Sequence, residues 1–177
     1  MSEYQPPYKD ATFALRELVG FDELCEQAGL EDINGELAEV ILEEAGKFGR
    51  EVLAPLNVIG DREGATLEMQ GVQETTGFSG AYRAFVENGW PSLTFPEPFG
   101  GQGLPNVLGT AVSEVWQSAN LAFSLCPLLT QGATEAVLHH GSARLQETWL
   151  PKMVSGEWTG TMNLTEPDAG SDLAAIK

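Results

Sequence analysis

The stretch MNLTEPDAGSDL, residues 162–173, gathers the side chains best suited to hold a ligand. Thr165 places a hydroxyl directly after an apolar run, and Pro167 stiffens the turn that follows. Gly170 and Ser171 offer backbone N–H groups and a second hydroxyl to an anion such as a diphosphate. Chemistry alone leaves two readings open, an anion or cofactor site and a plain strand-exit turn built from the same residue types. The remaining motifs exclude more than they support. No CxxC, HExxH, P-loop or GxSxG occurs. His139 and His140 fall near an expected helix C-terminus, where positive charge is favourable. Gly100, Gly101 and Gly103 do not make a GxGxxG and follow no clear strand, which excludes a dinucleotide fingerprint. The run Asp168–Asp172 lacks the third acidic position and the closing Glu of a calcium loop. Glu135 and Glu147 read as surface charges.

The elements that must position residues 162–173 are mostly helical. Asp10 can cap a helix carrying Phe13, Leu15 and Leu18 that Gly20 closes, and a second short helix with Leu24, Cys25 and Ala28 ends at Gly29. Asn34 then caps a long helix, with Leu37, Val40, Ile41, Ala45, Phe48 and Val52 at three- and four-residue steps and Pro55 as its stop. Residues 56–77 show no sustained period and read as a long loop. Ser79 can cap a helix through Tyr82 and Phe85 that Gly89 ends. The next sixteen residues, 90–105, hold four prolines and three glycines and must be irregular. Pro105 opens a helix with Leu108, Ala111, Val112, Val115, Trp116 and Ala119 on one face. Helical composition continues over 120–140, where Pro127 predicts a break or kink. A further helix starts at Ser142, carries Leu145, Trp149 and Leu150, and closes by Gly156. From Trp158 to Leu164 the chain looks extended, as the first strand of a different domain.

Nine Lys and Arg against 26 Asp and Glu give a formal charge of -17. Such a surface is a poor match for nucleic acid or for an anionic membrane, both of which are bound through Lys and Arg. The few cations also mean that any anionic ligand must be held by backbone N–H groups or helix N-termini. Cys25 and Cys126 lie far apart and form neither a metal spacing nor a disulfide framework, which fits a reducing compartment. The start MSEYQPPYKD has no basic and then apolar leader pattern, and no run approaches the roughly 18 apolar residues of a membrane span. The expected localisation is cytoplasmic.

MNLTEPDAGSDL resembles the signature that opens the middle domain of acyl-CoA dehydrogenases. FGREVLAPLN (48–57), NGWPSLTFPEPFGGQGLP (88–105) and the run from His139 to Leu173 resemble successive landmarks of that family, in order. The leading YQPPYKDATFALRELVG (4–20) is similar to the extra amino-terminal piece of a subgroup that resembles 3-methylmercaptopropionyl-CoA dehydrogenase. The resemblance implies a mainly α chain: an amino-terminal helical extension over 1–36, the family's helical amino-terminal domain over 37–157, and the first strand of a truncated β-barrel domain over 158–177. It implies FAD as cofactor, with Met162, Leu164 and Thr165 lining the flavin and Gly170 and Ser171 approaching the diphosphate. Ser171 would also lie near the thioester substrate. Many relatives carry an aromatic residue where this chain has Met162. Helices around 78–140 would form one wall of the acyl pocket. The implied reaction removes the α-proton of an acyl-CoA with a Glu base and passes the β-hydrogen to the flavin as hydride. That Glu lies in the family's carboxy-terminal part, so no catalytic residue is expected among these 177, and the fragment alone is expected to be inactive. The implied partners are acyl-CoA, an electron-transferring flavoprotein, and copies of the same chain in a homodimer or homotetramer, in fatty acid metabolism. Two other readings stay open. One is an inactive helical interaction module left by truncation. The other is the DNA-associated alkylation-response branch of the superfamily, against which the charge argues.

Overall fold

The computed structural model describes residues 4–176, and they form a mainly α assembly. Helix α1 (Tyr8–Phe13) runs through a π-helical turn, Ala14–Val19, to Gly20, whose φ of 65° ends it. Pro7 precedes the first turn, and Asp10 lies inside the helix rather than capping it. Phe13 and Leu18 are exposed, and Leu15 faces inward. Helix α2 (Phe21–Gln27) buries Phe21 and Cys25. Two tyrosines fasten this leading segment to the body. The Tyr4 hydroxyl donates to the Val115 carbonyl at 2.8 Å, and the Tyr8 hydroxyl to that of Glu43 at 3.2 Å. A Cβ on Gly46 would collide with the Tyr8 hydroxyl and the ring carbon that bears it, so the tyrosine keeps this place because residue 46 is glycine.

Helix α3 (Gly35–Phe48) begins as expected, with Asn34 Oδ1 accepting from the Leu37 N–H at 3.0 Å. Its buried face is Ala38, Leu42, Ala45 and Phe48, whereas Leu37 and Val40 point to solvent. The apolar stripe is wider than one face, and the side that α6 covers is the one carrying small residues. Pro55 does not stop the helix. A π-helical turn, Gly49–Leu53, widens the ladder just ahead of it, and the chain continues as α4 (Ala54–Glu63). Pro55 then sits in a first turn, where its missing N–H costs nothing. The stretch expected as a loop therefore holds a helix, and after it an antiparallel hairpin of β1 (Thr66–Glu68) and β2 (Gly71–Gln73), with Leu67 opposite Val72.

Helix α5 (Phe78–Glu87) starts at Gly77, so Ser79 is not its cap. The Pro- and Gly-rich segment is irregular, with short 3-10 turns at Trp90–Ser92 and Glu97–Phe99. Helix α6 (Asn106–Ala119) buries Leu108, Val112, Val115, Trp116 and Ala119, as its period predicts. Helix α7 (Leu121–His140) passes through Pro127 without a break, and α8 (Ala143–Val154) passes through Pro151. The core is an aromatic cluster in which the Phe85 ring meets Trp116 at 5.1 Å and Phe123 at 5.9 Å, both edge to face. Such pairs add about 1 kcal/mol each beyond the area they bury.

Asn120, 1% exposed, joins α6 to α7 and both to the π turn. Its Oδ1 accepts from the Phe123 N–H at 3.0 Å, and its Nδ2 donates to the Leu53 carbonyl at 3.1 Å. Asn120→Ala strands a buried donor and a buried acceptor, so a loss of about 2–3 kcal/mol is expected in urea unfolding.

Helix α7 is long and apolar enough, by length and composition, to cross a membrane. Its packing is unusual for a core helix. Ser124, Thr130 and Thr134 are buried, their hydroxyls returned to carbonyls one turn back, while Leu121, Leu125, Leu128 and Leu129 are exposed.

Candidate functional site

Gly156, at φ 80°, turns the chain out of α8 and back along α7. Tyr82 of α5 holds this turn, its hydroxyl donating to the Gly156 carbonyl at 3.0 Å. Burial pushes the Tyr82 phenol up, with a smaller contribution from Cys126, so it stays protonated and able to donate at neutral pH. The returning segment is pinned at Gly160, whose N–H donates to Thr130 Oγ1 at 3.1 Å. A Cβ on Gly160 would meet that of Ala133 at 2.5 Å and Met153 Cε at 3.0 Å, so glycine is what permits the close approach. Beside Ala133 on α7, Gly132 makes room for the Met162 sulfur. The Trp158 indole rests against Trp149, at 5.2 Å between centroids, with the Lys152 ammonium 4.5 Å above it.

The run from Trp158 to Leu164, expected as a strand, is not paired with another strand. A strand needs a neighbour to satisfy alternate N–H and C=O groups, and this run is held by α7 instead. Its continuation forms a tight turn in which Glu166 and Ala169 exchange backbone hydrogen bonds at 3.0 and 3.1 Å. Ala169 is buried and the rest of the turn is exposed. Met162, Leu164, Thr165, Gly170 and Ser171 therefore lie on one short, exposed stretch, with nothing within 4 Å of the place a Gly170 Cβ would take. Among the described residues, the Thr165 and Ser171 hydroxyls have no protein partner. His139 and His140 end α7, and His139 Nε2 lies 3.0 Å from Glu135 Oε2. No cluster of metal-ligating side chains occurs among the described residues.

Beside this stretch lies a cleft that sequence reasoning placed only as a wall of helices. It is bounded by α5, the segment 90–95, α6, α7 and α8, and its cavity volume is about 60 Å³. Phe85, Trp90, Phe95, Trp116, Phe123 and Leu128 make it apolar, and Thr94, Ser113, Thr130 and Gln131 add a few polar atoms. Thr130 and Met153 line the cleft and also touch Gly160, so the returning segment packs directly behind this part of the cleft wall. Among the described residues lining the cleft there is no Asp, Glu or His. The glycines at 132 and 160 are the sequence signal for this docking, legible only once α7 and the returning segment are known to touch.

Known proteins share both sequence and fold. The family profile described as acyl-CoA dehydrogenase, N-terminal domain, matches residues 36–157. The chain is 44% identical over 174 residues to 3-methylmercaptopropionyl-CoA dehydrogenase of Ruegeria pomeroyi, covering 98% of this chain and 30% of that protein. It is 32% identical over 172 residues to a butyryl-CoA dehydrogenase of Syntrophomonas wolfei, covering 95% of this chain and 28% of that one. A crystal structure of an acyl-CoA dehydrogenase complexed with FAD from Bacillus anthracis superposes with a TM-score of 0.64, at 24% identity over 83% of this chain and 23% of that chain. The chain thus spans less than a third of the length of these relatives.

Proposed function

The chain belongs to the acyl-CoA dehydrogenase family, and on that premise we propose that it supplies the helical wall and the first flavin contacts of a FAD-dependent acyl-CoA dehydrogenase. The observation that carries this reading is the apolar cleft lying against the segment that leads to an exposed stretch of free donors, the two sharing Thr130 of α7.

The residues present fit the cofactor. The hydroxyls of Thr165 and Ser171 carry no internal bonds that a ligand would have to break, and the open space at Gly170 admits a diphosphate close to the backbone. Neutral donors of this kind suit a chain with few cations. Met162 and Leu164 would lie against the flavin, Thr165 would bond its edge, and Gly170 and Ser171 would hold the diphosphate. FAD, when bound, supplies the two-electron oxidation that side chains cannot perform. The cleft would take the acyl chain and shed its water, and Ser171 would lie by the thioester. Among the described residues no carboxylate lines the cleft, so the base for the α-proton would come from elsewhere in the whole protein. The 177 residues alone are therefore expected to be inactive.

In the whole protein, electrons would pass to an electron-transferring flavoprotein, and the subunits would form a homodimer or homotetramer. The exposed leucines of α7 support this reading, as an apolar face that further parts of such an enzyme would cover. Residues 1–36 would act as an extension, 37–157 as the helical domain, and 158–177 as the entry to the middle domain.

A chimera tests the proposal. Residues 1–177 are joined to the remaining two thirds of the Ruegeria pomeroyi relative and assayed with a short acyl-CoA and an artificial electron acceptor. The chimera should dehydrogenate the thioester and the isolated chain should not. Turnover by the isolated chain, or a folded chimera that binds no acyl-CoA, contradicts the assignment.

A further inference from the structure

From Thr159 to Thr165 the returning segment pairs with no strand, and among the described residues one side chain bonds it to the helices. That side chain is Thr130 of α7, only 7% exposed. Its Oγ1 accepts from the Gly160 N–H at 3.1 Å. Its own hydrogen goes to the Cys126 carbonyl at 2.9 Å, with the Gly160 carbonyl a weaker alternative at 3.4 Å. An extended run with no ladder beside it has little else to set its register, so this hydroxyl places the stretch that leads to Met162, Leu164 and Thr165.

Thr130 also lines the cleft, and so does Met153. Gly160 lies directly behind both. A Cβ at residue 160 would stand 3.0 Å from Met153 Cε and 3.6 Å from Thr130 Cα. The cleft volume of about 60 Å³ is room into which these two side chains can turn away from Gly160. Methionine repacks readily, and a change of rotamer at Thr130 would release the Gly160 N–H. A chain that fills the cleft takes that room away, and the arrangement with the hydroxyl on Gly160 is the one it favours.

We propose that Thr130 is a positioning residue that couples the cleft to the flavin stretch. A ligand in the cleft holds the Thr130 hydroxyl on Gly160, and Gly160 holds the residues beyond it in place for the cofactor. The proposal rests on the reading of the cleft as the acyl pocket and of residues 162–171 as flavin contacts, and adds the residue that links them. The coupling is reciprocal. By whatever factor an acyl group tightens FAD, FAD tightens the acyl group.

The test reads Gly160 itself. Amide exchange is followed in the 177-residue chain, labelled with nitrogen-15, with S-butylpantetheine or with pantetheine, which has no chain to fill the cleft. S-butylpantetheine should slow exchange at Gly160 by roughly fivefold, the low end of ordinary coupling between sites, and pantetheine should not. Thr130→Val should speed that exchange by roughly fivefold, the worth of one net hydrogen bond, and abolish the response to S-butylpantetheine. Thr130→Ser should restore both. A merely structural role would speed exchange throughout α7 and leave the ligand response intact. In the chimera described above, S-butyl-CoA should tighten FAD in equilibrium dialysis by roughly the same factor, and only when residue 130 carries a hydroxyl. The ligand response is read on the unmutated chain, so it stands even where the valine variant does not fold. Resonance changes at cleft residues with unaltered Gly160 exchange overturn the coupling and leave the acyl pocket standing. No change at any cleft residue overturns the pocket, and the coupling with it.

Discussion

Gly101→Ala is expected to cost about 3 kcal/mol or more, and to reshape the cleft as it does so. The segment 92–104 folds back on itself through backbone bonds from Gln102 to Ser92 at 2.9 Å, Gly103 to Phe95 at 2.9 Å and Leu104 to Leu93 at 3.1 Å. A methyl group on Gly101 would land on the Phe95 carbonyl, backbone that has no rotamer by which to yield. Relief requires the strands of this loop to part, which withdraws Leu93, Phe95 and Leu104 from the core together. Gly80→Ala is the control. Gly80 lies within α5 with nothing in the way of a Cβ, so alanine there should stabilise the chain by about 0.5–1 kcal/mol. Urea unfolding followed by circular dichroism separates the two, and a Gly101 variant as stable as the parent refutes the packing described for this loop.

In the chimera, the double variant Thr165→Val with Ser171→Ala should weaken flavin binding by roughly a hundredfold or more. Each hydroxyl bonded to a polar or anionic flavin group is worth about 1.5–3 kcal/mol, and the two sites are separated by a turn that neither substitution disturbs. The Glu166–Ala169 bonds are made by backbone and survive the change. Equilibrium dialysis against FAD measures the loss. A double variant that keeps the parent affinity would show that the hydroxyls face water and not the cofactor.

Much of this architecture is written in local pattern. The Asn34 cap, the buried face of α6 and the irregular course of residues 90–105 follow from cap chemistry, the helical period and the backbone limits of Pro and Gly. What stayed hidden depends on partners distant in sequence. Pro55 reads as a stop unless the π turn before it is known, and that turn begins at Gly49, which packs against Val115 and Ala119 of α6, distant in sequence. Leu37 and Val40 match the helical period as well as Leu42 does, and only the position of α6 decides which side is buried. The hairpin at 66–73 is exposed on both strands, so it shows no alternation to detect. Residues 158–164 have strand composition without a strand beside them. At the candidate site, the donors of 162–173 were legible as chemistry, and their attachment to α7 was not. That attachment rests on the absence of side chains at Gly132 and Gly160, which a sequence shows only as two glycines 28 residues apart.

The flavin content of the purified chimera tests the central claim most directly. If residues 158–171, docked on α7, open a flavin site, the chimera made in a flavin-replete host should carry close to one FAD per polypeptide and show the isoalloxazine absorbance. A chimera that folds, as judged by circular dichroism, yet is colourless and takes up no added FAD would contradict the account.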